Sequence, residues 1–272
     1  MLEKLLEQTR AAVPLVHCIT NYVTVNDCAN VLLACGGSPI MADDAQEVEE
    51  ITSICSGLVI NIGTLNSRTV DSMILAGKRA NALGHPVVLD PVGAGASKLR
   101  TETTFRLLNE VHFDVIRGNI SEIKTVAQGS GTTKGVDADG SDAVTEENLD
   151  QMAAFAKQLS QKTGAVIAIT GAIDIVASEK EALILRGGNA LMSKITGTGC
   201  MLTAMTAAYV AANPGQKLYA VAAAVALMGL AGEKAYRQLD GRGTSTYRAL
   251  IIDAISTMTG DELKEGSRFE AR

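Results

Sequence analysis

Gly57-Leu58-Val59-Ile60-Asn61-Ile62-Gly63, a helix-patterned stretch from Ser67 to Leu83, and then Gly84, Pro86 and Val87-Val88-Leu89-Asp90 decide the fold. The two short apolar runs show no alternation, so each reads as a strand buried on both faces. A seventeen-residue helix between them is long enough to cross back over a sheet, which makes the two strands parallel.

The same grammar extends in both directions. Upstream, Leu15-Val16-His17-Cys18-Ile19 is a short apolar run, and Val23 to Cys35 is helical and closed by Gly36-Gly37. Ser38-Pro39-Ile40-Met41 is extended, and Ala45 to Cys55 is helical with acids in its first turns. Downstream, helices at Thr101 to Val111 and Thr145 to Thr163 alternate with strands at Val115-Ile116-Arg117 and Ala165 to Thr170. Asp174 to Ser178 and Ala182 to Arg186 flank Glu179-Lys180-Glu181 as a hairpin. Three helices follow, at Cys200 to Ala212, Leu218 to Gln238 and Tyr247 to Met258, and the tail from Asp261 is expected to be charged and exposed. Gly129 to Ser141 reads as a loop rather than a domain boundary. The expectation is one α/β domain over residues 1–272: a mostly parallel central sheet with helices on both faces.

Composition narrows the function. Lys plus Arg total 24 against 30 Asp plus Glu, a formal charge of −6, which disfavours nucleic acid as the main partner. The aromatic share, 3%, is too small for a base-stacking platform. The N-terminus, Met1 to Glu7, is amphipathic and charged and is no signal peptide. Leu218 to Gly232, the longest apolar run, has 15 residues, short of the ~20 that span a bilayer. Its alanines suit a helix packed inside the protein or at a subunit interface. Five cysteines without a C-x-x-C pair argue against a disulfide framework and a zinc site, and Cys28 and Cys35 share a helical face as core residues. The expected location is the cytoplasm.

Ligands of parallel α/β sheets bind beyond the carboxyl ends of the strands. Asn21, Met41, Asn61, Gly63, Asp90, Arg117, Asn119, Thr170 and Gly171 all fall there. Any one alone is an ordinary turn residue; their recurrence at one end of the sheet is what points to a site. Thr196-Gly197-Thr198-Gly199-Cys200 feeds a helix N-terminus, where free N–H groups and the helix dipole suit a phosphoryl group. It is neither a Walker A loop nor a dinucleotide fingerprint. Asp90-Pro91-Val92-Gly93-Ala94-Gly95 puts a carboxylate at a strand end beside small residues, and Glu122 is its candidate partner for Mg²⁺ bound with substrate phosphates. Arg117 is costly to bury without an anion and suggests either Glu122 or a nucleotide phosphate.

Together these segments resemble the ribokinase-like superfamily, and within it the hydroxyethylthiazole kinases. The resemblance is carried by Pro14 to Asn21, Gly37 to Ala42, Leu58 to Leu65, Leu89 to Gly95, Ile116 to Asn119, Ala168 to Gly171 and Thr196 to Cys200, in order. It implies ATP-dependent phosphorylation of the hydroxyl of 4-methyl-5-(2-hydroxyethyl)thiazole, a step of thiamine salvage. By that resemblance Asn21, Met41 and Gly197 touch the thiazole alcohol, Arg117 and Thr170 contact ATP, and Asp90 and Glu122 hold Mg²⁺ and its phosphates. Gly197, Gly199 and Cys200 form the catalytic turn, with Cys200 where many relatives in the superfamily carry an aspartate base. A thiolate at Cys200 is expected to be favoured by the helix N-terminus. The resemblance also implies a homotrimer with active sites at subunit junctions, and no inserted lid domain is visible in the chain.

A hydroxymethylpyrimidine kinase or an ADP-dependent dehydratase is disfavoured by Asn21 and Met41 in their motifs. A non-catalytic sensor would need none of the metal carboxylates. His17, His85 and His112 form no catalytic set; each is expected to be structural or on the surface.

Overall fold

The computed structural model describes residues 1–128, 133–134, 137–138 and 143–272. In chain order the elements are α1 (Leu2–Ala12), β1 (Leu15–Ile19), α2 (Val25–Cys35), β2 (Ser38–Ile40), α3 (Val48–Ile54), β3 (Gly57–Asn61), α4 (Ser67–Leu83), β4 (Val87–Asp90), α5 (Lys98–Glu110), β5 (Val115–Gly118) and α6 (Ile120–Gln128). Then come β6 (Thr133–Lys134), β7 (Asp137–Ala138), α7 (Leu149–Thr163), β8 (Val166–Ile169), β9 (Asp174–Ala177), β10 (Ala182–Leu185), α8 (Thr198–Ala212), α9 (Lys217–Arg237), α10 (Thr244–Thr257), α11 (Gly260–Gly266) and β11 (Phe269–Ala271).

Among the described residues nine strands form one sheet in the order β11-β10-β9-β8-β5-β4-β3-β1-β2. From β2 to β8 every neighbouring pair is parallel; β9, β10 and β11 add antiparallel pairs at the far edge. The mostly parallel α/β sheet expected from the sequence is thus present. Alternation along each strand feeds two cores. Val16, Val59, Val88, Val115 and Ala168 face α1, α2, α8, α9 and α10, whereas Leu58, Ile60, Leu89, Ile116 and Ile167 face α3 to α7.

Local chemistry sets the element ends. α4 starts on a capping box between Asn66 and Thr69 and stops at Gly84, φ 71°. α8 is apolar on all sides, as its central position requires, and its alanines let it approach β3 closely: a Cβ on Gly57 would lie 3.4 Å from Ala211.

The structure adds detail to three expectations. The tail from residue 261 is charged and mostly exposed, as expected, yet it forms regular elements: Gly260–Gly266 is helical, Leu263 is fully buried, and Phe269–Ala271 pairs with β10 as the ninth strand. A single apolar residue in seven and a three-residue strand leave no periodicity to read. The apolar run at 218–232 lies within the 21-residue α9, so length and composition alone would let this helix cross a membrane. Most of it is instead buried against α1, α8 and α10. The loop expected at 129–141 lies largely outside the described residues; its described parts are β6 and β7, paired antiparallel.

Candidate active site

The carboxyl ends of β1, β3, β4, β5 and β8 converge with the N-terminus of α8. Asp90, the last residue of β4, is fully buried. Its Oδ2 accepts from Asn61 Nδ2 at 2.9 Å and from Thr203 Oγ1 at 2.8 Å, and lies 3.7 Å from Arg117 Nη1. Its Oδ1 is buried and has no hydrogen-bond partner among the described residues. Burial raises the Asp90 carboxyl above its ordinary range; Arg117, Thr203 and Asn61 pull the other way.

Asn61 continues the network. Its Nδ2 also donates to Cys200 Sγ at 3.3 Å, and its Oδ1 accepts from Asn21 Nδ2 at 3.1 Å and from the Gly63 amide at 2.9 Å. Asn21 Nδ2 reaches Cys200 Sγ at 3.2 Å, while its Oδ1 accepts from the backbone and hydroxyl of Thr24, both at 3.1 Å. The thiol therefore receives two amide donors. Burial, with Asp90 nearby, nevertheless pushes Cys200 above its ordinary value. The expected helix-stabilised thiolate is overturned for this arrangement, because desolvation outweighs the donors.

The glycines of the turn have steric reasons. Gly197 caps α8 at φ 92°, and a Cβ there would meet Thr24 Cγ2 at 2.6 Å. A Cβ on Gly199 would lie 2.5 Å from Arg117 Nη1. The guanidinium thus lies against the first turn of α8. Its Nη2 donates to Thr170 Oγ1 at 2.5 Å, and its Nε is buried with no partner among the described residues. A cation beside a helix N-terminus is electrostatically unfavourable. An anion placed there would meet the amides, the dipole and the guanidinium together.

Glu122, in the first turn of α6, accepts from the Gly93 amide at 2.8 Å and the Asn119 amide at 2.8 Å. It ties the loop after β4 to the start of α6. Burial and the Asp90 charge lift its carboxyl to about 7. Two carboxyls both raised by burial, one of them also by the other's charge, fit a divalent cation, and Asp90 Oδ1 is the oxygen left over for one. Among the described residues no group of three or more His, Cys, Asp and Glu side chains is disposed to hold a metal, so a cation here would depend on phosphate oxygens and water for its other ligands. Met41 follows β2 and is half-buried against the core that Cys200 also borders.

The structure thus joins Asn21, Asp90, Arg117, Thr170, Gly197, Gly199 and Cys200 in one network, with Glu122 linked to Asp90 by charge. Sequence reasoning left Asn61 without a role and missed Thr24, Thr203 and Arg100. Thr203 stands one turn beyond Gly199, and Thr24 three residues beyond Asn21, the spacing of a side-chain cap. Arg100 binds the carbonyls of Val92 and Gly63 at 3.1 and 2.7 Å, joining the loops after β4 and β3. A cleft of about 890 Å³ lies elsewhere, at the amino ends of the strands near Asn81, His112 and Lys162, and contains none of these groups.

The Hydroxyethylthiazole kinase family model matches residues 6–261. A hydroxyethylthiazole kinase of Clostridium acetobutylicum is 62% identical over 272 residues, covering 100% of both chains. The solved structure of a hydroxyethylthiazole kinase protein from Pyrococcus horikoshii superposes with a TM-score of 0.89 at 33% identity, covering 100% of this chain and 98% of that one. A ribokinase-like superfamily protein from Enterococcus faecalis, 12% identical with a TM-score of 0.64 and coverage of 97% and 94%, shares the fold.

Proposed function

The chain belongs to the hydroxyethylthiazole kinase family, and we infer that it transfers the γ-phosphoryl group of ATP to the hydroxyl of 4-methyl-5-(2-hydroxyethyl)thiazole. The observation that carries the reading is the convergence of Asp90, Arg117 and the glycine-flanked start of α8 on one space. Phosphoryl transfer needs positioning and charge neutralisation more than a strong base. The amides at the start of α8 and the Arg117 guanidinium supply the neutralisation.

In this proposal the roles follow the chemistry of each group. Asn21, Met41 and Gly197 bind the thiazole alcohol. Arg117 and Thr170 bind ATP, the arginine using its unpartnered Nε and its contact with the helix start. Asp90 and Glu122 would hold Mg²⁺, which when bound offsets phosphate charge and orients the transferring group. Glu122 would do so while fixing the Gly93 loop. Cys200, Gly197 and Gly199 form the catalytic turn. Asn61 orients Asn21, Cys200 and Asp90 at once, since its amide touches all three. The proposal further includes one domain over 1–272, a cytoplasmic location, no nucleic-acid or membrane partner, and a homotrimer with sites at subunit junctions.

The test is ATP turnover against a panel of primary alcohols, with Asp90→Asn beside the parent. The thiazole alcohol should turn over best. Asp90→Asn preserves the acceptor for Asn61 and Thr203, so its kcat should fall about 10²–10³-fold, the several kcal/mol of a metal clamp. Unchanged turnover and Mg²⁺ dependence in that variant would remove Asp90 from the mechanism.

A further inference from the structure

We propose that His17 is a positioning residue for the acceptor alcohol, because its ring joins α3 to the backbone that follows Met41. This rests on the reading of Met41 as a thiazole contact. His17 sits in β1 opposite Ile40 of β2 and is fully buried on the α3 face. Its Nε2 lies 2.9 Å from the carbonyl of Ala42, and its Nδ1 lies 2.9 Å from Thr52 Oγ1 in α3.

The partners fix the tautomer. A carbonyl only accepts, so Nε2 carries the hydrogen; a neutral ring then accepts from the Thr52 hydroxyl at Nδ1. Burial, which holds the imidazole below its ordinary pKa, keeps the ring neutral. The segment from Met41 to Asp44 has no helix or ladder of its own. The ring therefore supplies a hydrogen bond where neither helix nor sheet can, one residue from the methionine. A histidine needed only to fill the core would be replaceable by leucine without unsatisfied groups. Here leucine would strand a carbonyl and a hydroxyl.

Two substitutions separate the halves of the bridge. The amide of His17→Gln reaches as far as Nε2 and can still donate to Ala42. His17→Asn keeps an acceptor near Nδ1 for Thr52 but falls short of Ala42. With steady-state kinetics in both substrates and thermal unfolding as the fold control, His17→Asn should raise KM for the thiazole alcohol by up to about 10²-fold, the scale of an ångström-sized misplacement. KM for ATP should stay within about threefold, and His17→Gln should resemble the parent. If His17→Asn folds and leaves the alcohol KM unchanged, or raises both KM values together, the proposal is overturned. Should His17→Asn not fold, Thr52→Val keeps the proposal testable: it leaves the Nε2–H bond to Ala42 in place, so it should match His17→Gln and the parent, and a rise in the alcohol KM in either variant overturns the proposal. Met41→Ala separates the premise: if it leaves the alcohol KM untouched, the reading of Met41 fails, whereas an effect in Met41→Ala with none in a folded His17→Asn defeats the positioning role.

Discussion

Glu122 holds its proton to about pH 7 because burial and Asp90 outweigh the amides of Gly93 and Asn119. Between its ordinary value of 4.5 and about 7, the folded protein binds a proton that the unfolded chain has released. The stability this contributes is complete below 4.5 and is lost as pH rises to about 7, on the order of 3 kcal/mol. Urea unfolding of the ligand-free protein should therefore show stability falling from pH 5 to 7.5, and Glu122→Gln should flatten that slope. A parent curve that rises over this range would mean that the carboxyl is ionised when folded. Cys200 makes a second case. Its thiol is raised rather than lowered, so it is protonated at neutral pH, and the catalytic load falls on the amides and Arg117. Cys200→Ala should lose only the low end of the ~10²–10⁴-fold range of general acid–base catalysis and keep the acidic limb of its pH–rate profile. Loss of all turnover, with folding and ATP binding intact, would make the sulfur indispensable.

Among the elements, α8 concentrates the chemistry, and its start has no room for a side chain at Gly197 or Gly199. Gly199→Ala would drive a methyl into the Arg117 guanidinium. That should weaken ATP binding and kcat together, while Thr170→Val, which removes one Arg117 partner, should act mainly through KM for ATP. Isothermal titration with ATP checks both; unaltered ATP affinity in Gly199→Ala would mean that Arg117 does not share the helix start with phosphate. The same elements show what the sequence made legible. β1, β3 and β4 are continuous apolar runs, and α4 carries its own cap and stop signals, so their types and nearly all their bounds could be read. Asp90, Arg117 and Cys200 were legible because polar residues at strand ends or a glycine-rich helix start leave a local mark. Asn61 was seen at its strand end, but its role was not, since that depends on Asn21 and Cys200, 40 and 139 residues away in sequence. α11 and β11 were illegible for the opposite reason: they are too short for any period and form only because Leu263 finds the core and β10 offers an open edge.

At the scale of the whole molecule, the proposed trimer must find its support outside α9. The alanines of that helix suited either an interior or a subunit interface, and within the protomer all but Ala226 are buried, in a helix packed on α8 and α10. The stronger feature lies at the site. Tyr22 is 79% exposed and Val23 56% exposed, directly after Asn21, whose side chain touches Cys200. Large apolar groups beside a phosphoryl-transfer site leave it open to water, and water competes with the alcohol for the γ-phosphate. A neighbouring protomer seated over Tyr22 and Val23 would bury them and close the acceptor side without an inserted lid. Sedimentation at micromolar concentration should show a three-chain species. A double variant, Tyr22→Glu with Val23→Glu, should sediment as a monomer, unfold at nearly the parent temperature because both side chains are exposed in the protomer, and lose alcohol phosphorylation while hydrolysing ATP faster relative to transfer. A monomer with full alcohol turnover would show that one protomer closes its own site.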